Sequence, residues 1–167
     1  MFKNKKILAI IPARKGSKSI INKNLLKIKK KSLVEIAINS AKKSELLTDI
    51  VITSDDDRII KIAKKNNIKN IKRAKNISGD KSMMYDVVMD VIKKNPEYDY
   101  VMILQVTNPF RSGKIIDEGI KKIINSKADT LVSVTKTDDM HPSRMYFLKN
   151  KFLSPFDKRK QNFNRQD

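Results

Sequence analysis

The sequence predicts an α/β fold in which a mostly parallel sheet is covered by helices on both faces. Short runs rich in β-branched residues alternate along the chain with amphipathic stretches of about a dozen residues, and this alternation is typical of consecutive βαβ units. The 167 residues, 40% of them hydrophobic, suffice for a single domain with a buried core. We therefore expect one three-layer domain over residues 1–167.

The predicted strands follow from short apolar runs. Residues 7–12 are rich in isoleucine and are bounded by Pro12, which is the length and composition of a buried strand. Further strands are predicted at residues 49–54, 99–104 and 130–135, and residues 68–72 are a shorter candidate.

The predicted helices follow from apolar residues at helical spacing. In residues 33–44, Leu33, Ile36 and Ala37 share one side and lysines occupy the other. The same pattern predicts helices at residues 58–66, 82–94 and 114–126. Ligands of such folds bind at the carboxyl ends of the strands, so the loops after the strands are the ones that carry information about function.

The composition limits the class of protein. The chain has no cysteine, so nothing points to an oxidising compartment, a thiolate metal site or a cysteine nucleophile. The apolar runs are shorter than the roughly 18–20 residues of a membrane helix, and the first run lacks a cleavage site, so no signal peptide is expected. A cytoplasmic protein without a membrane association is the expectation.

The formal charge of +19 raises the question of nucleic-acid binding. Lysine, however, is spread along the whole chain, and aromatic residues make up only 6% and do not interleave with the basic ones. A stacking platform for bases needs that interleaving. Solvated lysine-rich faces are therefore favoured over a nucleic-acid groove.

The loop after the first strand is polar and basic. It contains one glycine and several cations: Arg14, Lys15, Gly16, Ser17, Lys18, Lys23 and Asn24. A glycine lets backbone N–H groups approach a ligand closely, and the cations would neutralise a phosphate-rich one. An ordinary solvated basic loop is the alternative, and the residues alone leave both open.

This loop resembles the signature of a known family. Pro12-Ala13-Arg14-Lys15-Gly16-Ser17-Lys18, followed by Lys23-Asn24-Leu25, resembles the signature loop of the acylneuraminate cytidylyltransferases, the CMP-sialic acid synthetases. The glycine spacing is neither that of a Walker A loop nor that of a dinucleotide fingerprint. Lys15 and Ser19 stand where many family members carry glycine.

Other segments extend the resemblance. Residues 104–111, LQVTNPFR, resemble the family's L-Q-P-T-S-P-L-R, with Val106 and Asn108 as departures. Residues 72–80, KRAKNISGD, resemble R-P-x-x-L-x-x-D, with Ala74 where proline is usual. An H-P pair with a basic residue after it and a later R-Q pair also match; Arg144 and Arg165 take the basic positions.

The resemblance implies a Rossmann-like nucleotide-diphospho-sugar transferase fold and a reaction in which CTP activates a sialic-acid-like nonulosonic acid. It implies Mg²⁺ between the phosphates and a homodimer. The implied catalytic residues are Arg14, Lys18 and Lys23. The implied nucleotide-binding residues are Ala13, Arg14, Gly16, Ser17, Lys18, Lys23, Asn24, Arg73 and Asp80. The implied sugar-binding residues are Gln105, Arg144 and Arg165.

Several questions stay open at this point. Asp55, Asp56 and Asp57 could bind a divalent cation, but a cap of the next helix, by Asp56 or Asp57, is favoured. His141 is the only histidine and no Gly-x-Ser-x-Gly elbow accompanies it, so we expect a turn residue. We also expect the fold to be truncated, without the family's later Mg²⁺-holding D-x-D-like pair. An inactive nucleotide-binding remnant and a basic nucleic-acid-binding module are the alternative functions.

Overall fold

A computed structural model describes residues 2–16, 20–79, 82–136 and 145–156. The chain divides into two compact units, Met1–Thr130 and Leu131–Asp167, which are described separately. In the described part of the chain, no helix has the length and apolar character that crossing a membrane requires.

The first unit is built on a parallel sheet. The strands of this unit are β1 (Ile7–Pro12), β2 (Lys27–Ile28), β3 (Lys31–Ser32), β4 (Asp49–Ser54), β5 (Lys69–Lys72) and β6 (Tyr100–Ile103). Its helices are α1 (Leu33–Lys42), α2 (Asp57–Lys65), α3 (Met84–Lys93) and α4 (Gly113–Ser126). The main sheet has the order β5-β4-β1-β6 with every neighbouring pair parallel, which confirms the predicted α/β class.

β1 is central because its side chains are apolar on both faces. Ile7, Ala9 and Ile11 pack in a core with residues of α1, α2 and α4. Leu8 and Ile10 face the other way, where they pack against Val51 of β4 and Val91 of α3. These five residues of β1 are at most 2% exposed. Helices therefore cover both faces of the sheet, as predicted.

Side-chain caps fix where two helices begin. The Ser32 hydroxyl accepts a hydrogen bond from the backbone N–H of Glu35, and the Glu35 carboxylate accepts one from the Ser32 N–H at 2.8 Å. The Ser32 hydroxyl also donates to the Glu35 carboxylate at 2.5 Å, and this bond, followed by the one from the Ser32 N–H, lowers the pKa of Glu35. The Asp56 carboxylate accepts from the Arg58 N–H at 2.9 Å at the start of α2. The predicted helix cap is confirmed for Asp56.

Gly113, the first residue of α4, lies close to the backbone that follows α1. A Cβ placed there would lie 2.4 Å from both the backbone carbon and the backbone oxygen of Lys43, just after α1. Only a residue without a side chain fits against that backbone. The glycine therefore sets how closely the start of α4 packs against the end of α1.

The predicted strand at residues 130–135 is wrong for the structure described here. These residues adopt no strand, and Leu131, Val132 and Val134 are 37–59% exposed. Alternating apolar residues mark a face that a strand could bury, but a strand also needs hydrogen bonds to a neighbour. In the described residues this segment has no such neighbour.

The second unit contains a hairpin that was not predicted. Its strands, β7 (Tyr146–Lys149) and β8 (Phe152–Pro155), pair antiparallel. Asn150 and Lys151 form the turn, with φ angles of 49° and 69°. Two positive φ angles are typical of type I′ hairpin turns, which usually contain glycine at the second position. Because lysine takes that position here, the turn residues did not indicate a hairpin.

Candidate functional site

The predicted binding loops lie at one edge of the main sheet. β1, β4, β5 and β6 run parallel, so their carboxyl ends meet at the same edge. Ala13 follows β1, is fully buried, and donates its N–H to the carbonyl oxygen of Thr53 at 3.0 Å. This bond fixes the point at which the basic loop leaves the sheet.

Arg73, directly after β5, is the most unusual side chain at this edge. It is only 6% exposed, and its guanidinium donates to the Thr53 carbonyl oxygen at 2.9 Å and to the Thr53 hydroxyl at 3.4 Å. These partners are neutral, and burial lowers the pKa of Arg73. A cation held out of water without a carboxylate in contact is costly. The charges of Asp55 and Asp90 act in the opposite direction and raise the pKa of Arg73, and an anionic ligand in contact would add to their effect.

Arg14 lies near Arg73. It is half-buried and donates from Nη1 to the carbonyl oxygen of Gly79 at 3.3 Å. The charge of Arg14 is close enough to contribute to the lowered pKa of Arg73. Two neighbouring guanidinium groups repel each other, and an anion between or beside them relieves that repulsion. This is the electrostatic arrangement expected at a phosphate site.

The basic loop is held together by its own side chains. The Asn24 side-chain amide donates to the Arg14 carbonyl oxygen at 2.9 Å. Lys23 and Asn24 are half-buried and belong to a 3-10 helix, Lys23–Leu25. The side-chain oxygen of Asn24 is not used in that bond, so it can still accept from a ligand.

Gly16 is exposed in the same loop, and the fold itself does not require a glycine there. Its φ angle is not positive, and an added Cβ would meet no described atom within 4 Å. The sequence prediction that Gly16 allows close approach to a ligand remains compatible with this geometry. Ser17, Lys18, Asp80, Arg144, Arg165 and His141 lie outside the described residues.

Gln105 lies at the end of β6 on the same edge of the sheet. Leu104 and Val106 are buried on either side of it, whereas Gln105 is exposed. The Leu104 N–H donates to the Ile10 carbonyl oxygen at 2.8 Å, which anchors the segment to β1. The Thr107 hydroxyl contacts the Gln105 side-chain oxygen at 3.4 Å. The Gln105 side chain therefore projects from a fixed backbone.

Arg111 was missed as a candidate, although it ends the segment that resembles the second family signature. Its Nη2 donates to the Gln105 carbonyl oxygen at 3.4 Å. Its Nε atom is buried and, among the described residues, has no hydrogen-bond partner. Burial lowers the pKa of this half-buried guanidinium. The final arginine of the signature was the available signal.

An acidic cleft lies beside the basic loop. It has a volume of about 480 Å³ and is lined by Lys15, Asn22, Asp55, Asp56, Asp57 and Arg58. Three carboxylates make it a poor site for a triphosphate. No group of three or more histidine, cysteine, aspartate or glutamate side chains arranged to hold a metal ion occurs among the described residues.

Comparisons with known proteins show similarity to cytidylyltransferases. A family model described as cytidylyltransferase matches residues 8–166. The chain is 32% identical over 167 residues to the pseudaminic acid cytidylyltransferase of Campylobacter jejuni, covering 97% of this chain and 72% of that protein. It is 32% identical over 134 residues to the N-acylneuraminate cytidylyltransferase of Escherichia coli, covering 80% of this chain and 32% of that protein.

Solved structures with a similar fold are also nucleotidyltransferases. CMP:2-keto-3-deoxy-manno-octonic acid synthetase, solved with CTP, matches 74% of this chain and 49% of its own with a TM-score of 0.65 at 23% identity. A cytidylyltransferase from Leptospira borgpetersenii matches 74% of this chain and 51% of its own with a TM-score of 0.63 at 21% identity. The chain thus spans about half the length of these structures, and the likeness shows the fold.

Proposed function

Because the chain belongs to the cytidylyltransferase family, we propose that it uses CTP to activate a nonulosonic acid of the sialic or pseudaminic type. The products are a CMP-sugar and pyrophosphate. The observation that carries the proposal is the buried guanidinium of Arg73, which contacts neutral oxygens and lies near Arg14. A triphosphate would place negative charge against the buried guanidinium of Arg73.

The proposed reaction asks the protein mainly for alignment and charge neutralisation. The anomeric hydroxyl oxygen of the sugar forms a bond to the α-phosphorus of CTP and loses its proton. The bond from that phosphorus to the bridging oxygen breaks, and pyrophosphate leaves with the electron pair. Arg14, Lys18, Lys23 and Arg73 would neutralise the phosphates, and Ala13, Gly16, Ser17, Asn24 and Asp80 would complete the nucleotide site.

The remaining parts of the proposal rest on the family resemblance. Gln105, Arg144 and Arg165 would hold the sugar acid, since arginine binds a carboxylate in a bidentate manner. Mg²⁺ would enter with the nucleotide as its phosphate complex. We further propose a cytoplasmic homodimer that does not act on nucleic acid.

The proposal is tested by calorimetric titration with Mg-CTP, Mg-ATP and a short DNA duplex at two salt concentrations. Selective binding of Mg-CTP is expected. Tight, strongly salt-dependent DNA binding together with indifference to CTP would contradict it, because that is the behaviour of a general phosphate-backbone binder. A turnover assay with N-acylneuraminic and pseudaminic acids then separates an active enzyme from an inactive nucleotide-binding protein.

Replacing Arg14 with alanine is expected to weaken Mg-CTP binding at least about tenfold, the usual scale for a hydrogen bond to a charged group. The matched control is Lys42→Ala, which removes one positive charge from an exposed position on α1. Lys42 donates to the Asn66 carbonyl oxygen, away from the loop. Calorimetry measures the Mg-CTP affinity of both variants. Equal losses of affinity would show that net charge alone drives binding.

Replacing Gly16 with alanine is expected to leave stability within about 0.5 kcal/mol and still to weaken Mg-CTP binding. The described structure has room for the new methyl group. Any loss of Mg-CTP affinity would therefore come from the space that a bound phosphate occupies. Urea unfolding and calorimetry on the same preparation separate the two quantities. Unchanged CTP affinity would remove Gly16 from the nucleotide site.

A further inference from the structure

The start of α2 is fastened to the basic loop at two points. The Lys15 N–H donates to the Asp55 carboxylate at 2.7 Å. The Arg58 guanidinium donates from Nη2 to the Asn22 side-chain oxygen at 2.8 Å. One contact adjoins Arg14, and the other adjoins Lys23. Both ends of the loop over residues 14–23 are therefore tied to the same short segment after β4.

The second tie is supported by Asp56. The Nε of Arg58 donates to Asp56 Oδ1 at 3.1 Å, and its Nη2 donates to Asp56 Oδ2 at 2.7 Å. The Asp56 side chain is only 5% exposed and also caps α2, whereas the Arg58 side chain is 53% exposed. A guanidinium bound through two nitrogens to a buried carboxylate has a restricted orientation. The Asn22 side chain is thus bound by a group that Asp56 orients.

The division of work among the three aspartates follows from these contacts. Asp56 caps the helix, and Asp57 pairs with Lys72 while remaining 81% exposed. Asp55 does neither, because its carboxylate accepts the Lys15 N–H instead. A helix cap therefore does not explain Asp55. Its carboxylate contacts the loop that carries the nucleotide-binding residues of the proposed function, and its charge also raises the pKa of Arg73.

We propose that Asp55 and Arg58 are positioning residues that hold residues 14–16 and 20–23, the described ends of the basic loop, in positions that favour triphosphate binding. This inference rests on the proposed function. Neither residue needs to touch the nucleotide. Residues already held in their bound positions lose less conformational entropy on binding, so the ties raise affinity. On this proposal, the contacts made by residues of the acidic cleft position the loop of the phosphate site.

The test compares Asp55→Ala with Asp57→Ala, two substitutions that lie two positions apart and each remove one negative charge. Asp55→Ala is expected to weaken Mg-CTP binding about tenfold, whereas Asp57→Ala is expected to stay within about twofold because its ion pair is exposed. Asp55→Asn keeps an acceptor oxygen for the Lys15 N–H and is expected to restore most of the affinity. Equal losses from Asp55→Ala and Asp57→Ala would overturn the proposal.

A second readout does not depend on CTP. Amide hydrogen exchange of Lys15 in the ligand-free protein is expected to be faster in Asp55→Ala than in wild type, and unchanged in Asp57→Ala. An unchanged Lys15 rate in Asp55→Ala would overturn the positioning role. Failure of the wild type to bind Mg-CTP would instead overturn the proposed function, while the exchange rates would still decide whether Asp55 orders the loop.

Arg58→Lys provides an independent check on the second tie. Lysine keeps the positive charge but lacks the planar fork that reaches Asp56 and Asn22 together. We expect weaker Mg-CTP binding and faster amide exchange around Asn22, with the free energy of urea unfolding measured alongside. Wild-type CTP affinity in this variant would contradict the role of Arg58, because it would show that a positive charge at this position suffices without the planar guanidinium.

Discussion

Replacing Arg73 with methionine is expected to weaken Mg-CTP binding at least about 30-fold without lowering the stability of the protein. The loss of affinity follows because truncating a buried, charged donor costs about 2–5 kcal/mol of binding. The stability is expected to hold because the empty protein gains no ion pair from this guanidinium in its described contacts. Methionine also fills irregular apolar space well.

The carbonyl oxygen of Thr53 does not become unsatisfied in this variant. It also accepts the Ala13 N–H at 3.0 Å, so it keeps a partner when Arg73 is removed. Urea unfolding and calorimetry measure the two effects. Lys69→Met is the control: Lys69 lies at the other end of β5 and contacts Tyr98 and Asp49. A large loss of stability in Arg73→Met, or CTP binding equal to the control, would contradict the anion-site interpretation.

Replacing Gly113 with alanine is expected to destabilise the protein by about 2 kcal/mol. Alanine is the better helix former by about 1 kcal/mol, so an open site would gain stability. Here the new Cβ would lie 2.4 Å from backbone atoms of Lys43, and overpacking costs roughly 1–3 kcal/mol or more. Backbone at the end of α1 cannot turn aside as a flexible side chain can, so the steric cost wins.

Gly16→Ala is the matched substitution for this measurement, because its added methyl group meets no described atom within 4 Å. The free energy of unfolding in urea is expected to fall for Gly113→Ala and to stay near wild type for Gly16→Ala. Comparable values for the two variants would show that the end of α1 and the start of α4 separate at little cost.

The fold was predictable where one signal decided the structure. The buried isoleucines of β1 and the helical spacing of α1 left little choice, and the predicted helix ends differ from the observed ones by at most two residues. The predictions failed where the structure depends on contacts or backbone angles that the local sequence pattern does not indicate. Residues 130–135 lack a described neighbouring strand, and Asn150-Lys151 turns where glycine would ordinarily mark the hairpin.

The candidate site was predictable to a smaller extent. Arg14, Arg73 and Gln105 were selected through resemblance to family motifs, because their chemistry alone does not distinguish them from other basic or polar loop residues. The tie between Lys15 and Asp55 joins the ends of two parallel strands, and no sequence spacing encodes such a contact. The unpaired Nε of Arg111 likewise depends on how the loop packs.

The strand order β5-β4-β1-β6 also has a consequence for synthesis on the ribosome. β1 pairs with β4 on one side, and on the other Ile7 pairs with Tyr100, much later in the chain. Contacts between distant residues close slowly because a long loop must be ordered first. During synthesis, β1, β4 and β5 can therefore pair before β6 is made, and one edge of β1 stays unpaired until then. Arg14 and Arg73, which the proposed function assigns to the nucleotide site, both precede β6 in the chain.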